Sequence, residues 1–205
     1  MIGERWRGVA VVAIHFQNDV LHPNGKIRMG FGRDDANRAT LIRSARRLLN
    51  GARERGVPVV SARIAFRAGY RGVTQNSSMF RGVVKTGALI EGSWGADFHA
   101  RLKPRRGEFV VTHSRINAFY GSDLELVLGS LSAGRLIVAG IATHSAVEHT
   151  ARHAADMGYE VVVASDACAA ADPELHAASL RTLELHVERV ASVDEILEGL
   201  GVTGV

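Results

Sequence analysis

The sequence predicts an α/β fold of three layers, α/β/α, built on a six-stranded parallel sheet. Short apolar runs without polar alternation recur along the chain, which is typical of strands covered on both faces. Segments with the apolar spacing of amphipathic helices separate these runs, as in proteins whose parallel strands are joined by helical crossovers. In such sheets ligands bind beyond the carboxyl ends of the strands, so the residues that follow each strand are the first candidates for a site.

Six apolar segments predict the strands, and each lies between turn signals such as Gly56 and Gly158. The segments are 9–14, 57–64, 108–112, 135–139, 159–165 and 189–191. His15, His113 and Ala146 follow the first, third and fourth segments. We therefore expect these three residues at the carboxyl edge of the sheet.

Capping residues and glycines bound the predicted helices, for example Ser122 and Ser192 at the start and Gly158 at the end. The predicted helices are 34 or 35 to 51 or 56, 94–102, 122–128, 143 or 145 to 157, 173–187 and a last one that begins at 192. The apolar anchors of the helix over 173–187 are Leu175, Ala178, Leu180, Leu183 and Leu185. Residues 66–92 show no clear period, and a loop of that length usually shapes a binding site or a subunit contact.

Composition limits the class of protein. The chain has 205 residues, of which 46% are hydrophobic, so we expect one domain over residues 1–205 with a substantial core. The net charge of +4 is mild, and the basic residues form no stripe interleaved with aromatic residues. We therefore expect no nucleic-acid partner.

The single cysteine, Cys168, excludes an internal disulfide and favours a cytoplasmic protein. It ends an apolar segment, which favours a buried thiol over a reactive one. Residues 1–7 lack the apolar region of a signal peptide, and no apolar run approaches the ~20 residues of a membrane span. We therefore expect no membrane partner.

The segment 140–152 reads as a turn from a buried strand into a helix that Thr143 or Ser145 caps. Such a turn offers free backbone N–H groups and a positive helix end, which suit an oxyanion or an anionic substrate. Position 146 lies on the first turn of this helix, where a nucleophile would face the crevice. That residue is Ala146.

Several motifs resemble those of the isochorismatase-like, or cysteine hydrolase, superfamily over nearly the whole chain. Its members carry Asp-x-Gln-x-Asp after the first strand, a Lys shortly before Ala-Phe, and Gly-x-Ala-Thr-x-x-Cys-Val followed by Thr-Ala-Arg. The corresponding residues here are His15-Phe16-Gln17-Asn18-Asp19, His113 before Ala118-Phe119, and Gly140-Ile141-Ala142-Thr143-His144-Ser145-Ala146-Val147 before Thr150-Ala151-Arg152. The resemblance implies the Rossmann-like isochorismatase fold with strand order 3-2-1-4-5-6, and a homo-oligomer, either a dimer or a tetramer.

The resemblance also implies that all three residues of the family's catalytic triad are replaced. In the family, Cys attacks an amide or imide carbonyl, Asp takes the thiol proton, and Lys holds both in register. Here His15, His113 and Ala146 stand in place of Asp, Lys and Cys. Alanine forms no covalent adduct, so thiol-mediated acyl transfer at this position is excluded. The metal motif of the family's nicotinamidases is also missing, since residues 61–65 read Ser-Ala-Arg-Ile-Ala.

Three interpretations of the histidines remain open. A neutral imidazole donates or accepts a proton near neutral pH, so His15 and His113 could act on water as acid and base. With His144, they could instead hold a divalent metal with an open position for water. A silent site filled by residues that merely pack is the third interpretation. His113 must also reach across from the third strand. If it falls short, a water or ligand separates the two rings, or the two residues do not function as a pair.

The lead hypothesis is therefore a hydrolase that cleaves a C–N or vinyl-ether C–O bond of a small polar metabolite. Its catalytic residues are His15 and His113, no protein nucleophile takes part, and no cofactor is expected beyond the divalent metal already considered. The substrate-binding candidates are features of the family's pocket or its frame: Gln17, Asp19, Trp94, Phe119, Thr143 and His144. The rival hypothesis is a catalytically inactive protein that binds a small molecule or a protein partner.

Overall fold

A six-stranded parallel sheet organises the chain in the computed structural model, which describes residues 8–32 and 35–201. Every neighbouring pair of strands is parallel, and the order across the sheet is β3-β2-β1-β4-β5-β6. The strands are β1 (Val9–Ile14), β2 (Val59–Ile64), β3 (Phe109–His113), β4 (Arg135–Ile141), β5 (Glu160–Ala169) and β6 (Arg189–Ala191). The predicted fold class and strand order are confirmed.

Seven α-helices connect or follow the strands within the described ranges. They are α1 (Asn18–Leu21), α2 (Asn37–Glu54), α3 (Ser78–Thr86), α4 (Leu124–Ser130), α5 (Glu148–Asp156), α6 (Pro173–Leu183) and α7 (Val193–Gly201). A 3₁₀ turn at Ala68–Tyr70 and a π-helical turn at Thr143–Val147 complete the regular structure. None of these helices combines the length and the apolar character that a bilayer span requires.

Both faces of the sheet are covered, which explains the unbroken apolar runs. In β1, Val9 and Val11 belong to the core layer shared with α2 and α7, whereas Ala10, Val12 and Ile14 belong to the opposite layer. Burying a Val or Ile side chain stabilises a fold by roughly 1.5–3 kcal/mol, so the central strands anchor both layers. The residues of the site that follow β1 and β4 are therefore attached to a rigid part of the fold.

Helix α3 lies within the segment that we expected to be irregular. The side chain of Ser77 accepts a hydrogen bond from the amide of Phe80, and Gly87 ends the helix in the left-handed conformation with φ of 64°. This pair of a serine cap and a terminal glycine is the ordinary signature of a short helix. The expectation of an irregular 66–92 segment was therefore wrong over Ser78–Thr86.

The helix predicted over 94–102 is absent, and this part of the described chain forms turns instead. Phe98 makes an antiparallel bridge with Gln17, and the carbonyl of Gly95 accepts a hydrogen bond from the amide of Asp19. These pairings with the segment after β1 occupy backbone groups that a helix would have used internally.

Smaller differences concern the second half of the chain and the start of α2. Helix α6 ends at Leu183, and Leu175 and Leu185 are 47% and 80% exposed, so only Leu183 of the five expected anchors is buried. Strand β5 continues to Ala169 and includes Cys168. At the start of α2, Asp35 accepts a hydrogen bond from the amide of Asn37, while Asp34 lies outside the described residues, as do residues 1–7.

Gly140, near the end of β4, permits the close approach of β4 to β1. Its φ is +151°, and a Cβ atom built on it would lie 2.3 Å from the carbonyl oxygen of Ile14. A side chain at this position would therefore displace the end of β1, from which the next residue, His15, projects.

We predict that Gly140→Ala destabilises the protein by about 3 kcal/mol, because it adds backbone strain and a steric overlap with β1. Chemical denaturation measures the free energy of unfolding. Gly134→Ala is the matched control, since nothing lies within 4 Å of a Cβ atom built there. Equal stability of the two variants would contradict this account of the β1–β4 contact.

Candidate active site

His15 leaves the end of β1 in a left-handed backbone conformation, with φ of 56°. Histidine enters this region more readily than most residues, although it remains uncommon there. Its backbone amide donates a hydrogen bond to the carbonyl of Ala62 at 2.9 Å, which fixes the chain as it leaves the sheet. The side chain is 6% exposed. The backbone therefore holds this imidazole in a buried place at the carboxyl edge of the sheet.

His113 is the last residue of β3 and meets His15 directly. The two Nε2 atoms lie 2.9 Å apart, the ring centroids are 4.8 Å apart, and the ring planes differ by 19°. A nitrogen–nitrogen distance this short is below the spacing of stacked rings, so the rings meet through their edges in a hydrogen bond. His113 therefore reaches across the end of β2, and no water or ligand separates the rings. We call these two residues the histidine pair.

Burial keeps both imidazoles of the histidine pair neutral near pH 7. Loss of hydration lowers the pKa of His113 from 6.5 to about 4. The same effect lowers the pKa of His15 well below 6.5, and the neighbouring His113 lowers it further. The backbone carbonyl of Ile141 opposes this shift, because it favours a protonated His15 ring.

The hydrogen-bond partners then determine where the protons lie. His113 Nδ1 is 2.9 Å from the carbonyl oxygen of Arg115, which can only accept, so this Nδ1 carries the proton. A neutral His113 has no second proton, and its Nε2 must accept from Nε2–H of His15. A neutral His15 then keeps Nδ1 unprotonated. We assign His15 Nδ1 as the basic atom of the histidine pair.

A cavity of about 270 Å³ lies against His15. His15, Ala142, Ser145 and Ala146 line it from the sheet edge and the π-helical turn. The rest of the wall comes mainly from apolar side chains of several segments: Val20, Ile27, Met29, Ile64, Met79, Val83, Leu89, Ile116 and Ile141. We call this space the apolar cavity. It suits a small ligand with an apolar body.

Ala146 lies in the wall of the apolar cavity and is 3% exposed. Its π-helical turn precedes α5, and the amides of Ser145 and Val147 both donate to the carbonyl of Ala142. Cys168 does not line this cavity, and burial raises the pKa of its thiol to about 12. Neither residue can therefore supply a thiolate to a bound ligand near neutral pH.

Two of the expected substrate-binding residues form hydrogen bonds within the fold. The side chain of Gln17 donates to the carbonyls of Ile64 and Ala96 and accepts from the amide of Ile64. The carboxylate of Asp19 accepts from the amides of Lys26 and Leu89. Both side chains are buried, and neither lines the apolar cavity. They fix the segments that surround the cavity.

The other four expected substrate-binding residues also lie away from the lining of the apolar cavity. Trp94 is 53% exposed and packs edge-on against His22, while Phe119 packs against His153. Thr143 is buried, and its hydroxyl lies 2.8 Å from Nδ1 of His176. Direct contact of Trp94, Phe119, Thr143 or His144 with a ligand remains a prediction.

The structure does not assemble the metal site suggested for His15, His113 and His144. No group of three or more His, Cys, Asp or Glu residues in the described ranges is arranged to hold a metal ion. The reason lies in the histidine pair, whose facing nitrogens bind each other while His113 Nδ1 binds Arg115. Nδ1 of His144 is buried without a hydrogen-bond partner in the described chain.

Sequence reasoning missed the part of the cavity wall that α3 and the loop after α1 supply. Ser78, Gly82 and Thr86 line the apolar cavity from α3, and Lys26 and Arg28 line it from the loop. The serine and glycine that bound α3 were a usable signal for the helix. No sequence pattern indicated that α3 would line the same cavity as His15.

Comparison with known proteins gives a consistent family. The isochorismatase domain family matches residues 9–195. The uncharacterised isochorismatase family protein YecD of Escherichia coli O157:H7 is 32% identical over 160 residues, which cover 78% of this chain and 83% of that protein. A protein named a probable inactive nicotinamidase of Arabidopsis thaliana is 27% identical over 186 residues, which cover 87% and 89% of the two chains.

A solved structure shows the same likeness in three dimensions. The isochorismatase family protein from Desulfovibrio vulgaris superposes with a TM-score of 0.82 at 25% identity, over 95% of this chain and 99% of that chain. The predicted resemblance is therefore confirmed at the level of family and fold.

We predict that His113 makes the protein acid-sensitive. His113 binds a proton near pH 6.5 in the unfolded chain but only near pH 4 in the folded chain. Its contribution to the free energy of unfolding is therefore complete above pH 6.5 and is lost as the pH falls toward 4. The loss from this residue is about 3 kcal/mol, from the size of the pKa shift. Denaturation of wild type and His113→Asn at several pH values measures it.

The readout of that experiment is the slope of stability against pH, not its level at one pH. Acidic residues such as Glu108, whose pKa the Arg53 ion pair lowers, also lose stabilisation in acid, but they do so in both proteins. Identical slopes for wild type and His113→Asn would contradict the assignment of a neutral, buried His113.

Proposed function

Because the chain belongs to the isochorismatase family, we propose that it hydrolyses a small molecule without a protein nucleophile, with His15 as general base. The observation that carries this proposal is the 2.9 Å contact between His15 and His113 at the wall of the apolar cavity. The other three ring nitrogens of the histidine pair already form hydrogen bonds, so His15 Nδ1 is the one nitrogen of the pair that can act as a base. The proposal assigns His15 and His113 to the family's catalytic Asp and Lys positions and Ala146 to its Cys position.

The first step uses water as the nucleophile. His15 Nδ1 takes a proton from a water molecule, and the water oxygen attacks the carbonyl carbon of an amide, ureide or imide group of the ligand. The imidazolium ring is stabilised by His113 Nε2, which accepts from it, and by the carbonyl of Ile141. The same proton then passes to the leaving nitrogen as its bond to carbon breaks. His15 ends the cycle neutral, and no covalent intermediate with the protein forms.

His113 is a positioning residue in this mechanism. Its Nδ1–H is bound to the carbonyl of Arg115, so its ring cannot turn without losing that hydrogen bond. It therefore fixes the tautomer of His15, as a second group orients the histidine in other acid–base sites.

The lining of the apolar cavity changes the proposed substrate. A small polar metabolite would leave polar groups unpaired against Ile27, Met29 and Val83. We therefore propose a substrate whose amide, ureide or imide group is carried on a largely apolar body. The hydroxyls of Ser78 and Ser145 are the candidates for its polar contacts.

A second candidate function is ligand binding without turnover. The presence of Ala146 in the cavity wall supports it, and so does the likeness to a relative named a probable inactive nicotinamidase. In that case the histidine pair contributes hydrogen bonds to a ligand and no proton transfer. A cytoplasmic location and a dimeric or tetrameric assembly are part of both proposals.

We predict that purified protein turns over a member of a panel of amides, ureides and imides with apolar substituents. His15→Ala should lower the rate at least about 100-fold, because the general base is removed. His113→Gln should lower kcat and change its pH profile with little change in KM. His186→Ala is the matched control, since this histidine is exposed and outside the cavity wall.

The same panel separates the two functions. Thermal stabilisation by a panel member without turnover would support the binding function and reject the hydrolase. Gly82→Leu then locates the ligand: nothing lies within 4 Å of a Cβ atom at Gly82, and a leucine there would fill the apolar cavity. Stabilisation that survives Gly82→Leu would place the ligand elsewhere and reject both candidate functions for this cavity.

We predict that turnover resists iodoacetamide at pH 8, because the only cysteine is buried and its thiol has a pKa of about 12. Mass spectrometry should find Cys168 unmodified in the folded protein and alkylated after unfolding. Loss of activity that accompanies alkylation of folded protein would show that a thiol takes part.

A further inference from the structure

A second cavity, of about 370 Å³, lies against His113 and shares no lining residue with the apolar cavity. His15 lines the first cavity and His113 lines the second, so the histidine pair stands between the two. The second wall is largely polar, and its charged and hydroxyl residues are Arg67, Arg71, Glu91, Thr112 and Ser114. We call this space the arginine cavity.

Arg67 and Arg71 of this wall are exposed, and neither forms an ion pair within the described chain. Neither Arg67 nor Arg71 has a side-chain hydrogen bond or ion pair to another described residue. Glu91 is the one acidic residue of the wall, and it too has no ion pair there. With His113 neutral, the wall carries two positive charges and one negative charge. This excess of positive charge favours an anion.

The hydroxyl groups of the wall add donors of the right kind. The oxygen of Thr112 accepts from Nε of Arg63 at 2.9 Å, so its own O–H proton is free to donate. The hydroxyl of Ser114 makes no hydrogen bond within the described residues. Guanidinium groups bind carboxylate and phosphate oxygens through paired, charge-assisted hydrogen bonds, and hydroxyls complete such sites.

We propose that the arginine cavity binds a small anion through a phosphate or carboxylate group, with Arg67 and Arg71 as its charge partners and Ser114 and Thr112 as further donors. The occupant lies against His113, on a different cavity from the one that His15 lines. The arginine cavity is therefore a site for an effector or for a second reactant, and it is not the place of hydrolysis. The proposal does not depend on the hydrolytic function, because it concerns equilibrium binding alone.

Isothermal titration of the full chain with inorganic phosphate, and separately with acetate, tests this site. Chloride keeps the ionic strength constant, so that general screening is the same in every titration. The test variant is Arg67→Gln/Arg71→Gln. The matched control is Arg43→Gln/Arg46→Gln, which removes the same charge from exposed residues of α2. The imidazole signals of His113, followed by NMR, report where the anion binds.

We expect wild type and the α2 control to bind with the same Kd, and the Arg67→Gln/Arg71→Gln variant to bind at least about tenfold more weakly. In wild type, saturation with the anion should shift the His113 signals, because the occupied cavity lies against this ring. Tighter binding of phosphate or of acetate identifies the group that the site prefers. No saturable binding up to about 50 mM, equal Kd values in all three proteins, or unmoved His113 signals would each overturn the proposal.

Discussion

The hydrogen bond between His15 and His113 is the interaction on which the site depends. It joins two neutral, buried rings, and its strength depends on one proton lying between two nitrogens. The carbonyl of Arg115 fixes that proton by occupying the far side of His113. A single backbone acceptor thus determines which nitrogen of His15 is basic.

This contact exists because β1 and β3 flank β2 and end near the same edge of the sheet. His113 pairs in register with Ile64 of β2, and β2 pairs in turn with β1, so the ends of β1 and β3 lie one strand apart. An imidazole spans that distance because His15 leaves β1 in a left-handed conformation, which turns its ring toward His113. Gly140 completes the frame on the other side by letting β4 approach β1 without a side chain between them.

The sequence predicted the sheet well, because buried parallel strands give apolar runs that few other structures produce. It failed over Trp94 to Leu102 and over α3, where pairing with distant segments or short capping signals decided the structure. At the site, the motifs located His15, His113 and Ala146, but no pattern in one chain shows which surfaces enclose a ligand. The walls from α3 and from the loop at Lys26 come from segments far apart in sequence, so only tertiary packing could reveal them.

A neutral histidine pair suits the wall of an apolar cavity better than a charged pair would. The family pattern that this chain resembles has a charged Asp and Lys, and burying such a pair beside an apolar cavity carries a large desolvation cost. Two neutral histidines remove that cost while keeping one base and one orienting partner. The hydrogen bonds from His15 to His113 and from His113 to the Arg115 carbonyl leave one ring nitrogen, His15 Nδ1, without a partner in the pair. The proposed function accounts for two features of the apolar cavity together: Ala146 offers no nucleophile, and the histidine pair offers a neutral base to water or to a bound ligand.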